Sequence, residues 1–202
     1  MTMSNLFDNY IRAISAKFAH KETSEMGYRS DFETLIRGIF ESINVKRIDH
    51  DAKATKGNKP DFIVLKNDIP ILYIEAKDIG ISLDKVEKSE QMARYYGYAN
   101  LILTDYLEFR FYRNGIKYQE PIKLGSYDLK TRIVTPIPES CEYLAKTLVE
   151  FTQSYLEPIK SGQHLAKIMG GKAQRVRDNV KQIFEENSKD KDIFNVFETI
   201  KR

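Results

Sequence analysis

Residues 60–77 constrain this chain more than any other stretch. They run Pro60-Asp61-Phe62-Ile63-Val64-Leu65, then the polar Lys66-Asn67-Asp68, then Ile71-Leu72-Tyr73-Ile74-Glu75-Ala76-Lys77. Two runs rich in β-branched and aromatic residues around a short polar break predict a β-hairpin. Ionised side chains are rare inside apolar strands because they are costly to take out of water. Asp61, Glu75 and Lys77 are therefore the residues to explain. A hairpin centred on Asp68 sets Asp61 directly opposite Glu75, on one face, with Cβ atoms about 4.5–5.5 Å apart. Lys77 lies two residues beyond Glu75 and shares that face, since strand side chains alternate.

Two carboxylates at that range repel each other unless a cation lies between them. Oxygen ligands so placed suit a hard divalent ion such as Mg²⁺. The neighbouring ammonium suits a developing negative charge or an attacking water. Together these groups predict metal-assisted phosphodiester hydrolysis. The competing account is a surface hairpin with an exposed Glu–Lys pair, which contributes little to stability. The spacing itself, Pro60-Asp61, thirteen residues, then Glu75-Ala76-Lys77, resembles the signature of the PD-(D/E)XK nuclease superfamily.

The flanking elements follow from periodicity. Leu6, Tyr10, Ile11, Ile14 and Phe18 predict a helix over 4–19. Ser30 and Glu33 form a capping-box pattern that predicts a second helix starting there, with Phe32, Leu35, Ile36, Ile39, Phe40 and Ile43 on one stripe. Residues 46–59 are basic and turn-rich; they are either a solvated loop or a phosphate-contacting segment at the mouth of the site. His50 between Asp49 and Asp51 invites a metal reading, set against ordinary loop charge. A strand near 46–50 completes the sheet. Asp84 precedes a helix expected over 85–96 and closed by Gly97, with Gln91 and Tyr95 four apart on one face. Strands are expected at 100–105 and 107–113, and Asn114-Gly115 predicts a type I′ turn into Ile116-Lys117-Tyr118. Arg110 and Arg113 fall on opposite faces of their strand. Residues 121–138 look irregular, punctuated by Pro121, Gly125, Pro136 and Pro138. An amphipathic helix follows over 139–156, with Leu144, Leu148, Phe151 and Tyr155 on its stripe. Another is expected over 164–187, interrupted by Gly170-Gly171, and a short one over 191–200.

This order gives an α/β fold with a mixed central β-sheet flanked by helices, the core sense of the nuclease superfamily that the motif resembles. The resemblance implies that Asp61, Glu75 and the Ala76 carbonyl hold Mg²⁺, for which Mn²⁺ substitutes. It implies that Lys77 orients water or stabilises charge. It brings Gln91 and Tyr95 to the site as a Gln-x-x-x-Tyr motif. It also offers Glu33 as an additional metal or water contact, a role that competes with helix capping for the same carboxylate. The tail, Leu165-Ala166-Lys167-Ile168-Met169 and Lys172 to Asn179, resembles the helical connector behind the N-terminal nuclease of single-chain restriction–modification enzymes of the type IIG and type I-SP kinds. That implies a nuclease domain over 1–157 and a connector over 158–202. It also implies double-stranded DNA as substrate, and methyltransferase or helicase-like regions in a parent polypeptide. The chain itself holds neither an Asn-Pro-Pro-Tyr-like methyltransferase motif nor a Walker A sequence.

Composition narrows the class further. With 42% apolar residues the chain has enough for a real core, and 30% charged residues give it a solvated surface. The net charge of +3 is too small for a whole-protein basic field, so nucleic-acid contact must come from a local patch. One cysteine, Cys141, excludes an internal disulfide and fits a reducing cytoplasm. Neither a membrane-spanning run nor a signal-peptide pattern is present. Two other classes remain open: a non-catalytic DNA-binding module on a nuclease-like scaffold, and a helical interaction module built from residues 139–202.

Overall fold

The computed structural model describes residues 2–20, 25–50, 60–153 and scattered helical positions between 162 and 180. Helices α1 (Met3–Ala19) and α2 (Glu25–Phe40) precede three strands, β1 (Arg47–His50), β2 (Phe62–Lys66) and β3 (Ile69–Ala76). Two short helices follow, α3 (Leu83–Val86) and α4 (Glu90–Tyr95). Then come β4 (Asn100–Thr104), β5 (Glu108–Arg113), β6 (Ile116–Lys117) and β7 (Ile122–Lys123). The hairpin β8 (Gly125–Asp128) and β9 (Ile133–Pro136) leads to α5 (Glu139–Thr152). The main sheet has the order β1-β2-β3-β4-β5-β6, with β7 also on β5. β3 and β4 run parallel and every other pair antiparallel, so the sheet is mixed, as expected.

The register expected of the central hairpin holds where it matters. Phe62 pairs with Ile74, Ile63 with Tyr73 and Val64 with Leu72. Towards the turn the pairing slips to Leu65–Pro70 and Lys66–Ile69, leaving Ile71 as a bulge. The bulge reconciles a two-residue turn with that register. Asn67 (φ 51°) and Asp68 (φ 60°) are both left-handed, the pair that a type I′ turn requires. The Asn100 side-chain amide donates to the Ile71 carbonyl at 3.0 Å.

The sheet buries both faces. Leu72, Ile74 and Ala76 of β3 join the large core under α1, α2 and α5, with Phe32, Ile102, Phe109 and Phe151. Tyr73 faces the smaller cluster under α3 and α4, with Leu101, Leu103, Tyr112, Met92 and Tyr95. Glu75, two residues beyond Tyr73, therefore looks towards α3 and α4. α1 and α2 approach so closely that a Cβ on Gly38 would stand 2.5 Å from Leu6 Cδ2. Among the described residues no helix is long and apolar enough to cross a membrane.

Three local expectations are corrected. α2 begins at Glu25, not at Ser30. The Lys17 ammonium donates to the Gly27 carbonyl at 2.7 Å and to Asp31 at 2.6 Å, and Tyr28 is buried against Tyr106. These contacts hold an extra first turn despite its glycine, so Ser30 is interior; its carbonyl accepts from Thr34 Oγ1 at 2.9 Å. The helix expected over 85–96 is two pieces. Ser89 caps the second through Met92 N–H at 3.2 Å, and Glu87, between them, turns to Arg110 and Tyr112. Residues 121–138 are ordered as β7 and the β8–β9 hairpin. Arg132 ties that hairpin to α1 by donating to the Phe18 carbonyl at 2.6 Å. The expected helix over 191–200 and Tyr155 lie outside the described residues.

Candidate active site

Asp61 immediately precedes β2, and its antiparallel partner β3 brings Glu75 and Ala76 to the same end of the hairpin. One Asp61 oxygen, Oδ2, accepts the Ala76 N–H at 2.8 Å. The other, Oδ1, pairs with the Arg29 guanidinium of α2. Glu75 is 2% exposed, and its Oε1 carries the Lys77 ammonium. Lys77 Nζ also donates to Gln91 Oε1 at 3.4 Å, and Gln91 Nε2 donates to the Tyr95 hydroxyl oxygen at 3.3 Å. Burial pushes the Tyr95 hydroxyl well above its ordinary pKa, and the charges of Glu75 and Asp61 push it further. Tyr95 thus stays protonated and senses both carboxylates. Asp61, Glu75, Ala76, Lys77, Gln91 and Tyr95 converge, although they come from the residue before β2, from β3 and its end, and from α4.

Glu33 stands apart from that convergence. Its carboxylate accepts from Arg37 Nε at 2.8 Å and pairs with His50 Nε2 at 2.5 Å. It caps no helix, because α2 starts two turns earlier. Of the Asp49–His50–Asp51 set, Asp49 pairs with Arg47 at 2.7 Å and His50 with Glu33, and Asp51 lies outside the described residues. Of the basic segment 46–59, only Lys46, Arg47 and the other residues to 50 are described; Lys53, Lys56 and Lys59 are not.

A sequence model of the type I restriction enzyme R protein N terminus matches residues 7–120, more than half of the chain and every site residue named above. The chain belongs to that family. Among solved structures, a chain of a cryo-electron-microscopy DrdV–DNA complex is similar, with 22% identity and a TM-score of 0.56, covering 77% of this chain and 99% of that one. At that identity the likeness shows the fold, a restriction-endonuclease-like α/β core. No curated protein matches the chain.

In this restriction-enzyme domain of nuclease type, the sequence pattern missed Arg29. A helix start at Ser30 would leave Arg29 in a connector. With the helix begun at Glu25, Arg29 lies one turn before Glu33, and it reaches across thirty-two residues of sequence to Asp61. The usable signal is an arginine one turn upstream of the acid on the same stripe.

The residues present fit a hard divalent ion. Among the described residues no group of three or more His, Cys, Asp or Glu is arranged for a metal. Mg²⁺, however, is commonly held by one or two carboxylates with waters. The Ala76 N–H points at Asp61, and the N–H and carbonyl of one strand residue point to the same side. The Ala76 carbonyl therefore turns towards the Asp61 side, while Lys77 N–H turns the other way, to Thr104 O at 2.8 Å.

Proposed function

We propose that this domain is a Mg²⁺-dependent endonuclease that hydrolyses phosphodiester bonds of double-stranded DNA as the cleavage unit of a restriction enzyme. The observation that carries the reading is the convergence of Asp61, Glu75 and Lys77 at one end of β2 and β3, with the Ala76 peptide facing Asp61. The DNA in the DrdV complex supports DNA as the substrate class. Asp61, Glu75 and the Ala76 carbonyl would hold the ion, with Mn²⁺ able to replace Mg²⁺. A divalent ion at such a site supplies Lewis-acid polarisation and a more acidic water.

The chain's own groups do the rest. Lys77 holds a positive charge beside Glu75, where negative charge builds on the reacting phosphate. Gln91 fixes the Lys77 ammonium through its carbonyl oxygen, and the Tyr95 hydroxyl fixes the Gln91 amide in turn. Glu33 joins as an outer acid, already paired with Arg37 and His50. The assignment of 1–157 to the nuclease and 158–202 to a connector leading to methyltransferase or helicase-like regions is part of the same proposal, as is a cytoplasmic setting.

The test is nicking and linearisation of supercoiled plasmid in Mg²⁺ against EDTA, with DNA binding measured alongside. Cleavage that requires the ion and is lost in Asp61→Ala supports the reading. DNA binding without cleavage, in both the isolated chain and its parent polypeptide, refutes it in favour of a non-catalytic module.

A further inference from the structure

Each carboxylate of the proposed metal pair carries a cation of its own. Lys77 occupies Glu75, and both belong to the strand motif. Arg29 occupies Asp61 and comes from α2, outside any motif. We propose that Arg29 is a positioning residue that neutralises Asp61 in the metal-free site and is displaced when a divalent ion binds, so that ion binding and guanidinium release are one exchange. This rests on the reading of Asp61 and Glu75 as the metal pair.

Geometry makes the guanidinium and the ion competitors for Asp61. Asp61 Oδ2 is committed to the Ala76 N–H at 2.8 Å, and that bond also sets the angle of the carboxylate. Oδ1 remains for a cation, and Arg29 Nη2 is on it. A divalent ion bound through Oδ1 would stand within a few ångströms of the guanidinium. The Arg29 and Asp61 side chains are only 15% and 13% exposed. Water therefore screens little of that repulsion. Arg29 cannot shed its charge in compensation, because a guanidinium stays protonated. It must move.

The surroundings allow that motion without unfolding the helix. Tyr28 and Phe32, on either side in sequence, are 2% and 0% exposed and anchor α2. The Arg29 guanidinium carbon lies 5.9 Å from the centroid of Phe62. That ring face can receive the cation near its present position. In the metal-free state the same cation keeps Asp61 and the buried Glu75 from facing each other as unbalanced charges. A lysine could make the same single-point contact with Asp61.

The experiment is Mn²⁺ titration by calorimetry on the full chain, with wild type, Arg29→Gln, Arg29→Lys and Asp61→Asn. Arg29→Gln removes the competitor and should tighten Mn²⁺ about threefold to tenfold; Arg29→Lys should stay near wild type. Unchanged or weaker binding in Arg29→Gln overturns the exchange and leaves Arg29 a structural support. The metal pair is tested separately: wild-type binding no tighter than that of Asp61→Asn refutes the pair, and the exchange falls with it. Should Arg29→Gln fail to fold, nuclear magnetic resonance of arginine-labelled wild type decides, with Arg29→Lys assigning the signal. The ion-paired guanidinium resonance should move to that of a freely rotating group as Mg²⁺ saturates. A resonance that stays in place at saturation refutes the exchange.

Discussion

Lys77→Ala separates the charge balance of the site from its metal chemistry. Lys77 Nζ lies between Glu75 Oε1 and Gln91 Oε1. The Glu75 side chain is 3% exposed and that of Lys77 is 21%. Removing the cation takes an ion-pair partner from a buried carboxylate, which costs about 3–5 kcal/mol when both partners are fully buried. Lys77 is partly open, so water can enter the space its ammonium leaves, and about 2–3 kcal/mol is the expected loss. At roughly 2–4 °C per kcal/mol for a chain of this size, the melting temperature in EDTA should fall by about 4–12 °C. A divalent ion should then restore more stability in the variant than in wild type, because it neutralises the carboxylate that Lys77 used to hold. Saturation at 100 times Kd adds about 2.7 kcal/mol. Single-turnover cleavage should still fall by about 10²–10³, because no ion replaces the ammonium at the phosphate. DNA affinity should change little, being spread over many basic side chains. The assays are thermal melts in EDTA and in Mn²⁺, with single-turnover cleavage in the parent polypeptide. A variant that melts within a degree of wild type in EDTA and cleaves at the wild-type rate would refute both the buried-pair argument and the catalytic role.

Two further expectations concern the scaffold. The φ of Gly115 is +76°, and a Cβ there would stand 2.9 Å from Tyr96 Cβ and 3.0 Å from Tyr96 O. Gly115→Ala should cost about 1–3 kcal/mol for its left-handed backbone. A loss in urea denaturation of less than about 0.5 kcal/mol, the range of an ordinary surface substitution, would count against this turn geometry. Burial raises the Glu87 carboxyl, but hydrogen bonds from Tyr112 and Arg110 outweigh it and leave the pKa below its ordinary 4.5. A lowered folded pKa gives stability that is present above 4.5 and lost as pH falls through the folded value. Melting temperature should therefore drop below pH 4.5 more steeply in wild type than in Glu87→Gln, and parallel profiles would refute the assignment.

Most strands and helices were legible because their periodicity is strong and local. The Asn114-Gly115 turn was legible because two left-handed residues are nearly obligatory there. The opposite faces of Arg110 and Arg113 followed from alternation alone. Arg110 meets Glu108 at 2.6 Å and Asp84 at 2.7 Å, whereas Arg113 reaches the Phe151 carbonyl at 2.8 Å. The misjudged segments have two causes, distant contacts and short length. α2 gains its first turn from Lys17, a residue of α1. The break before α4 is held by Glu87 contacts to β5. β7, β8 and β9 span two to four residues each, too few for a periodic signal.

By itself, then, the sequence determined the hairpin with its register and the placing of Gln91 and Tyr95 on one helical face. These depend on residue alternation and on spacings within one or two elements. Only the tertiary structure decided which partner each charge takes. Arg29 on Asp61, His50 on Glu33 and Lys77 on both Glu75 and Gln91 join groups distant along the chain, with one exception inside β3 and its end. A charge chooses its partner by distance and desolvation, and both are set when α2 and α4 dock on the sheet. Periodicity locates a face, but it cannot say what the next element will place against it.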